Sequence, residues 1–277
     1  MTEKNIDNKV VSDFGKEWKA FNHKEIDSLN LQSSFDSYFS IFPFDNLPPD
    51  ASGFDMGCGS GRWAKFVSPQ VGTLHCIDPS QVALNQAKNN LSNSDNCTFE
   101  CASTSNNSLE EGSQDFGYSL GVLHHIPDTF EALASCATKL KSGAPFLLYL
   151  YYRFDNKPLW YAYLWKFSDF FRVLISKLPF KIKFLISQIL ALSVYWPLAR
   201  LSKLLEKFKI NTQNIPLSDY RNKPFYMLRT DALDRFGTRL EQRFTKDEIE
   251  QMLLDTGFTD IKFSNTPPFW TVVARKI

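Results

Sequence analysis

Two histidines stand side by side at 124 and 125, and two aspartates, Asp55 and Asp78, bracket a run of glycines at 57, 59 and 61. A histidine titrates near neutrality, so it is the ordinary general base for drawing a proton from a hydroxyl. His124 is the preferred base and His125 the second candidate; as neighbours they cannot both face one reacting atom. The structural alternative is a turn, "LHHIPD", with one ring packed and hydrogen-bonded. The glycines invite a ligand close to the backbone, but not a dinucleotide in the usual way. The spacing is G-x-G-x-G, with Arg62 where the third glycine of G-x-G-x-x-G belongs, and no Gly-Lys-Ser/Thr follows for a P-loop. Asp55, two residues before the first glycine, would repel a pyrophosphate but can accept a hydrogen bond from an ammonium group. The helix N-terminus expected beyond the loop favours a carboxylate. An ammonium and a carboxylate on one small molecule describe an amino acid. Asp78 follows the glycines by about 20 positions, where a strand–helix architecture bonds a ribose diol.

An amino acid joined to a ribose points to S-adenosylmethionine. The segment 53–128 resembles the class I (Rossmann-like) S-adenosylmethionine-dependent methyltransferases. "DMGCGSGRWA" is similar to their first motif, "HCIDPS" to their second, and "DFGYSLGVLHHIPD" to the segment around their fourth strand. The resemblance implies an α/β fold: a doubly wound, mostly parallel seven-stranded sheet with an antiparallel C-terminal strand, here carrying a helical insertion. It also implies roles for single residues. Asp55 would hold the methionine amino group. Gly57, Cys58, Gly59 and Gly61 would form the loop that lets the backbone approach the ligand. Asp78 would bind the ribose hydroxyls, with Pro79 on the adenine and Ser80 beside it. Family members often place an acidic residue after the third strand for the adenine amino group. This chain has Cys101-Ala102-Ser103 there, so Ala102 and Ser103 are the substitutes. Leu120 and Gly121 would line the site by their backbone. The cofactor would be S-adenosylmethionine and its product S-adenosylhomocysteine.

The elements that must position these residues are legible as a strand–helix alternation. Strands are expected at 53–56, 73–77, 97–101, 115–120 and 144–151, with helices from Arg62, over 80–91 with Ser80 as N-cap, and after Pro127. "APFLLYLY" is a continuous apolar run, as a central strand buried on both faces requires. Thr245-Lys246-Asp247-Glu248 is a capping box opening a helix that ends at Gly257. Strands at 260–264 and 270–274 then close the chain as an antiparallel pair. The fifth strand delivers Tyr151, Tyr152 and Arg153 to the edge where ligands bind in open sheets, and Tyr220 and Arg229 return from the insertion. These five are the acceptor-binding candidates, with packing or salt bridging as their structural alternatives.

Three blocks follow: a helical, aromatic cover over 1–50, the cofactor-binding domain over 51–153 and 231–277, and a basic aromatic insertion over 154–230. Between Lys157 and Lys209 there are ten Lys/Arg against two acidic residues, although the whole chain carries a net charge of only +1. Trp160, Tyr163, Leu164, Phe167, Phe171 and Leu174 fall on one face of a helix there. The insertion is read as a helical cap packing on the first 50 residues or forming a homodimer, or as a peripheral membrane contact through 157–209. A spanning helix over 184–199 is disfavoured by its length and by Gln188 and Pro197. The near-neutral balance and the absence of a reading motif exclude a dominant nucleic-acid role.

"MTEKNIDNK" offers no apolar run for a secretory signal, and five cysteines suit a reduced protein, so a cytoplasmic one is expected. No metal site is expected, since Cys97 and Cys101 have no second pair at a zinc-like spacing. The acceptor is expected to be a small molecule or a glycan or lipid precursor, methylated at oxygen, with nitrogen or carbon open. The rivals are a non-catalytic binding or scaffold protein of the same fold, and a nicotinamide oxidoreductase, which Arg62 disfavours.

Overall fold

In the computed structural model, which describes residues 5–21 and 28–277, the alternation builds one seven-stranded sheet. The contacts divide the chain into two units: the described parts of 1–22, 31–152 and 240–277, and those of 23–30 and 153–239.

In the first unit the strands are β1 (Ser52–Met56), β2 (Thr73–Ile77), β3 (Cys97–Glu100), β4 (Phe116–Leu120), β5 (Pro145–Tyr149), β6 (Phe258–Phe263) and β7 (Val272–Lys276). Their order is 3-2-1-4-5-7-6. β1 to β5 pair in parallel, and β7 runs antiparallel to both β5 and β6. The order turns back between β1 and β4, which makes the carboxyl ends of those strands a switch point, the place where open sheets bind ligands. The helices of this unit are α1 (Asn8–Ala20), α2 (Ser28–Phe39) from Leu31 onward, α3 (Ala64–Val67), α4 (Gln81–Asn90), α5 (Thr129–Lys139) and, near the C-terminus, α10 (Lys246–Asp255).

Strand alternation splits the core between the two faces. Phe54, Met56, Phe146 and Leu148 pack on one face with Leu133 of α5 and Leu253 of α10. Leu74, Cys76, Tyr118 and Leu147 pack on the other with Phe35 and Phe39 of α2 and Leu84 of α4. Phe35, Phe39 and Phe42 thus pack over this face of the sheet.

Several boundaries differ from expectation, each for a local reason. The helix after the glycine loop begins at Ala64, not Arg62, because Gly61 still holds a positive φ of 74°. Asp115 precedes β4: its carboxylate accepts from the Ser52 amide and from Lys141. Asp128 caps α5 by accepting from the Glu131 amide, so Pro127 lies before the cap instead of in the first turn. β7 runs on to Lys276 past the last apolar residue, since Arg275 and Lys276 keep their ladder partners Pro145 and Phe258. The Thr245–Glu248 capping box is present in both directions.

The second unit contains α6 (Leu159–Ile175), α7 (Phe180–Leu190), α8 (Trp196–Lys207) and α9 (Phe225–Gly237). α9 runs across residue 230, where the sequence suggested a boundary. α7 and α8 are joined without a break by a π-helical turn over Ala191–Tyr195, so Pro197 sits in the first turn of α8. The unit's core is small: Ala191, Tyr195 and Ala199 meet Leu228, Ala232 and Phe236 of α9. Buried cations finish it, with Lys183 donating to the Gly237 carbonyl and Arg172 to that of Thr238. The aromatic face of α6 does not pack inward. Tyr163, Phe167 and Leu174 are all exposed, and the buried residue of that helix is Arg172.

Candidate functional site

The site grows from the end of β1. The amides of Gly57 and Cys58 both donate to the Ile77 carbonyl, at 2.8 and 3.0 Å, which folds the glycine loop across the end of β2. Gly57 has a φ of 84°, and a Cβ there would stand 2.3 Å from Val122. Gly59 has a φ of 55°, and its Cβ would stand 3.0 Å from the Trp18 ring. Neither position accepts a larger residue without strain. Asp78 locks the loop: one oxygen accepts from the Gly59 amide at 2.9 Å and the other from the Ser80 amide at 2.8 Å. Burial raises the Asp78 carboxyl to about 6, and those two backbone donors oppose the shift. Ser80 in turn caps α4 through the Ala83 amide.

A cavity opens over this loop. Gly57, Gly59, Asp78, Pro79, Ser80, Ala102, Ser103 and Gly121, all expected at the site, line it. Asp55, Cys58, Gly61 and Leu120 do not. Cys58 and Leu120 contribute to the core instead. Gly61 lets the loop approach α4, since a Cβ there would meet Leu91 at 2.8 Å. Asp55 is buried behind the wall, and its Oδ2 has no hydrogen-bond partner among the described residues. Burial pushes its carboxyl up to about 8; the Tyr118 phenol opposes this, the charge of Asp78 adds to it and that of Arg62 counters it.

Residues that sequence reasoning passed over form the opposite wall. Val10, Phe14 and Trp18 of α1 line the cavity. They recur every four residues, and this spacing was available as a signal. Asn5 fixes the entry to α1, exchanging two hydrogen bonds with the Asp128 backbone at 2.8 and 2.9 Å. Thr104 lines the cavity too, and its buried hydroxyl has no partner among the described residues.

The donor set fits S-adenosylmethionine on three counts: an orphaned buried carboxylate oxygen at the end of β1, two loop positions a Cβ would obstruct, and an acidic residue after β2. Residues 54–148 match the family model described as "Methyltransferase domain". This segment belongs to that family. A transposon-borne, uncharacterised protein of Streptomyces fradiae is 34% identical over 124 residues, 43% of this chain and 35% of that one. The chain thus spans about a third of the length of the curated relative it matches. The 1,6-didemethyltoxoflavin-N1-methyltransferase of Burkholderia thailandensis shares the fold, with a TM-score of 0.54 at 14% identity, covering 100% of this chain and 92% of that one. So does a possible histamine N-methyltransferase of Thermotoga maritima, with a TM-score of 0.51 at 13% identity, covering 97% and 100%. The fold is the seven-stranded class I methyltransferase sheet.

Within the methyltransferase domain the two histidines part company. His125 lines the cavity and its Nδ1 lies 2.6 Å from the Leu240 carbonyl. A carbonyl only accepts, so Nδ1 carries a proton, and in the neutral ring Nε2 holds the lone pair. His124 is fully buried, off the cavity wall, with neither ring nitrogen bonded among the described residues. Burial holds it well below the usual histidine range. Its ring centroid lies 3.9 Å from that of Tyr151, which accounts for this tyrosine as packing. Tyr152 bridges to Phe244 and packs on Phe269. In the second unit Arg229 donates to Gln188 and Tyr220 packs on Tyr195. Arg153 is an exposed residue at the start of that unit. Among the described residues no cluster of three or more His, Cys, Asp or Glu could hold a metal ion.

Proposed function

We propose that this chain is an S-adenosylmethionine-dependent methyltransferase that modifies an oxygen of a small molecule or of a glycan or lipid precursor, with His125 as the base. One observation carries the reading: a single cavity brings the glycine loop, Asp78 and a histidine of assigned tautomer together. When bound, the cofactor would supply an electrophilic sulfonium methyl group.

The protein's own part is alignment and proton removal. Asp78 keeps lone pairs for the ribose hydroxyls after satisfying two amides. Asp55, behind the wall, answers the ammonium through a bridging water, and the Thr104 hydroxyl takes the adenine amino group in place of the acidic residue missing after β3. His125 Nε2 accepts the hydroxyl proton, and the Nδ1–H bond to the Leu240 carbonyl steadies the imidazolium that results. Val10, Phe14 and Trp18 keep water from the reacting groups. The five unbridged cysteines suit a reducing, cytoplasmic setting.

The test is calorimetry followed by transfer. Binding of S-adenosylhomocysteine without binding of NAD, and transfer of labelled methyl to hydroxyl acceptors in a mixed panel, are expected. Binding of neither ligand overturns the methyltransferase reading. Transfer only to amines overturns the oxygen assignment alone.

A further inference from the structure

The helices of the second unit are built inside out. Along α7, the π turn and α8, the side chains turned inward are Lys183, Ser187, Ala191, Tyr195, Ala199 and Ser202, a nearly four-residue repeat that is mostly small or polar. A plain α-helix would carry such a repeat off its face, and the wider π turn takes up the surplus. The outward rows are apolar. Leu185, Ile189 and Leu192 are 60%, 55% and 63% exposed on the α7 side, and Tyr163 and Phe170 are 73% and 62% exposed on α6. Side chains this apolar in continuous rows mark an interaction surface.

The charges sit in the same rows. Lys166 and Lys177 fall at helical spacing with Tyr163, Phe170 and Leu174, and Lys181 with Leu185 and Ile189. Lys203 and Lys207 follow Trp196 along α8. All five lysines are exposed, and none is paired with a carboxylate among the described residues. The two acidic residues of the stretch are already committed: Asp169 to Arg172 and Arg235, and Glu206 to Arg221. The face is therefore apolar and uniformly cationic.

Three occupants can be weighed. A second copy of this chain, related by a twofold axis, would bring like rows of lysines together, which charge repulsion opposes. A membrane-crossing role has the length: among the described residues Phe180–Lys207 is a helix of 28 residues, long and apolar enough to span. Crossing would strip Lys183 from the Gly237 carbonyl and Gln188 from Arg229, and would place Lys181, Lys183, Arg200 and Lys203 in or beside hydrocarbon. An anionic bilayer surface satisfies every feature without breaking a bond. It takes aromatic and aliphatic side chains to shallow depth and attracts each lysine at the headgroups.

We propose that the outward face of α6, α7 and α8, with Lys166, Lys177, Lys181, Lys203 and Lys207, docks on an anionic lipid bilayer with the helices in the plane of the interface. The proposal is independent of the methyltransferase reading, and its test uses no cofactor.

The full chain is sedimented with vesicles of phosphatidylcholine alone and of phosphatidylcholine with phosphatidylserine. Co-sedimentation with the anionic vesicles, weakening as salt is raised, is expected. Each Lys→Gln change should weaken it about fivefold, so the pair Lys166→Gln and Lys177→Gln by roughly 25-fold. Phe170→Ser should also weaken it, but without changing the salt dependence. These positions are exposed, and an unchanged melting temperature verifies that each variant is folded. Equal sedimentation with both vesicle types, or with neither, overturns the proposal. So does a salt-insensitive dimer in light scattering that Phe170→Ser dissolves.

Discussion

Replacing Asp55 with Asn tests the site at its most unusual atom. The carboxyl is 2% exposed and its folded value of about 8 stands far above the ordinary 3.8. A raised acid gives stability that is complete below its unfolded value and is lost as pH rises toward its folded one. Between pH 6 and 8 the unfolded chain has already released this proton while the folded one is still releasing it. The linkage integral over that window comes to about 2 kcal/mol, or roughly 5 °C in Tm for a domain of this size. Asp78, raised only to about 6, has finished most of its loss by then. Histidine titrations are common to both proteins and cancel in the difference. The assay is thermal unfolding of wild type and Asp55→Asn at half-unit steps of pH without ligand. The wild type should lose stability across the window relative to the variant, and the variant should be the more stable protein at pH 8. The same variant should bind S-adenosylhomocysteine more weakly. At pH 7 the wild type should release close to one proton on binding, read from calorimetry in buffers of different ionisation enthalpy, and the variant should release none. Parallel stability curves for the two proteins between pH 6 and 8 would refute the argument that burial keeps this carboxyl protonated.

Four other outcomes follow from the same geometry. With saturating cofactor, His125→Gln should cut kcat by about 10²- to 10⁴-fold, the usual worth of a general base. His124→Phe should keep kcat and raise stability by about 1–3 kcal/mol, because it removes two buried nitrogens without partners; denaturant titration beside a labelled-methyl assay reads both. Gly57→Ala should cost more stability than Gly59→Ala, measured by urea unfolding, since its Cβ would stand 2.3 Å from Val122 while that of Gly59 would stand 3.0 Å from the Trp18 ring. Thr245→Ala should cost about 1 kcal/mol through the lost cap of α10, with ligand binding unchanged.

The sheet and the loop were legible because they rest on local signals. Apolar runs with strand spacing, the positive-φ glycines and the aspartates at the ends of β1 and β2 depend on few distant residues. The cavity's far wall was harder, although Val10, Phe14 and Trp18 recur at helical spacing. That spacing shows that α1 has an apolar face, but the surface it covers is decided by tertiary contacts such as the Asn5–Asp128 pair, 123 positions apart. The histidines were illegible for a sharper reason. The two rings touch, with centroids 4.1 Å apart in a tight 3-10 turn, and only His125 lines the cavity, its Nδ1 bonded to the Leu240 carbonyl 115 positions away.

The second unit reverses the usual inference from pattern to burial. A stripe at i, i+3 and i+4 states that a helix has two faces, and the customary assumption puts the apolar one inside. Here the inner side of α7 and α8 is taken by Ser187, Ala191, Ala199 and Ser202, which let α9 approach closely, while the larger apolar side chains have no room there. The buried cations fit the same scheme, since Arg172 and Lys183 satisfy the carbonyls of Thr238 and Gly237 at the end of α9. A helix end buried this way needs donors, and lysine and arginine supply them with long stems that fill space. Composition could not have distinguished these inward cations from the outward lysines of the same helices. Only the partners at α9 do, and once the inward ones are assigned, the remaining lysines stand beside exposed aromatics with no carboxylate partner among the described residues. That charge on an apolar face is what the proposed lipid surface would answer.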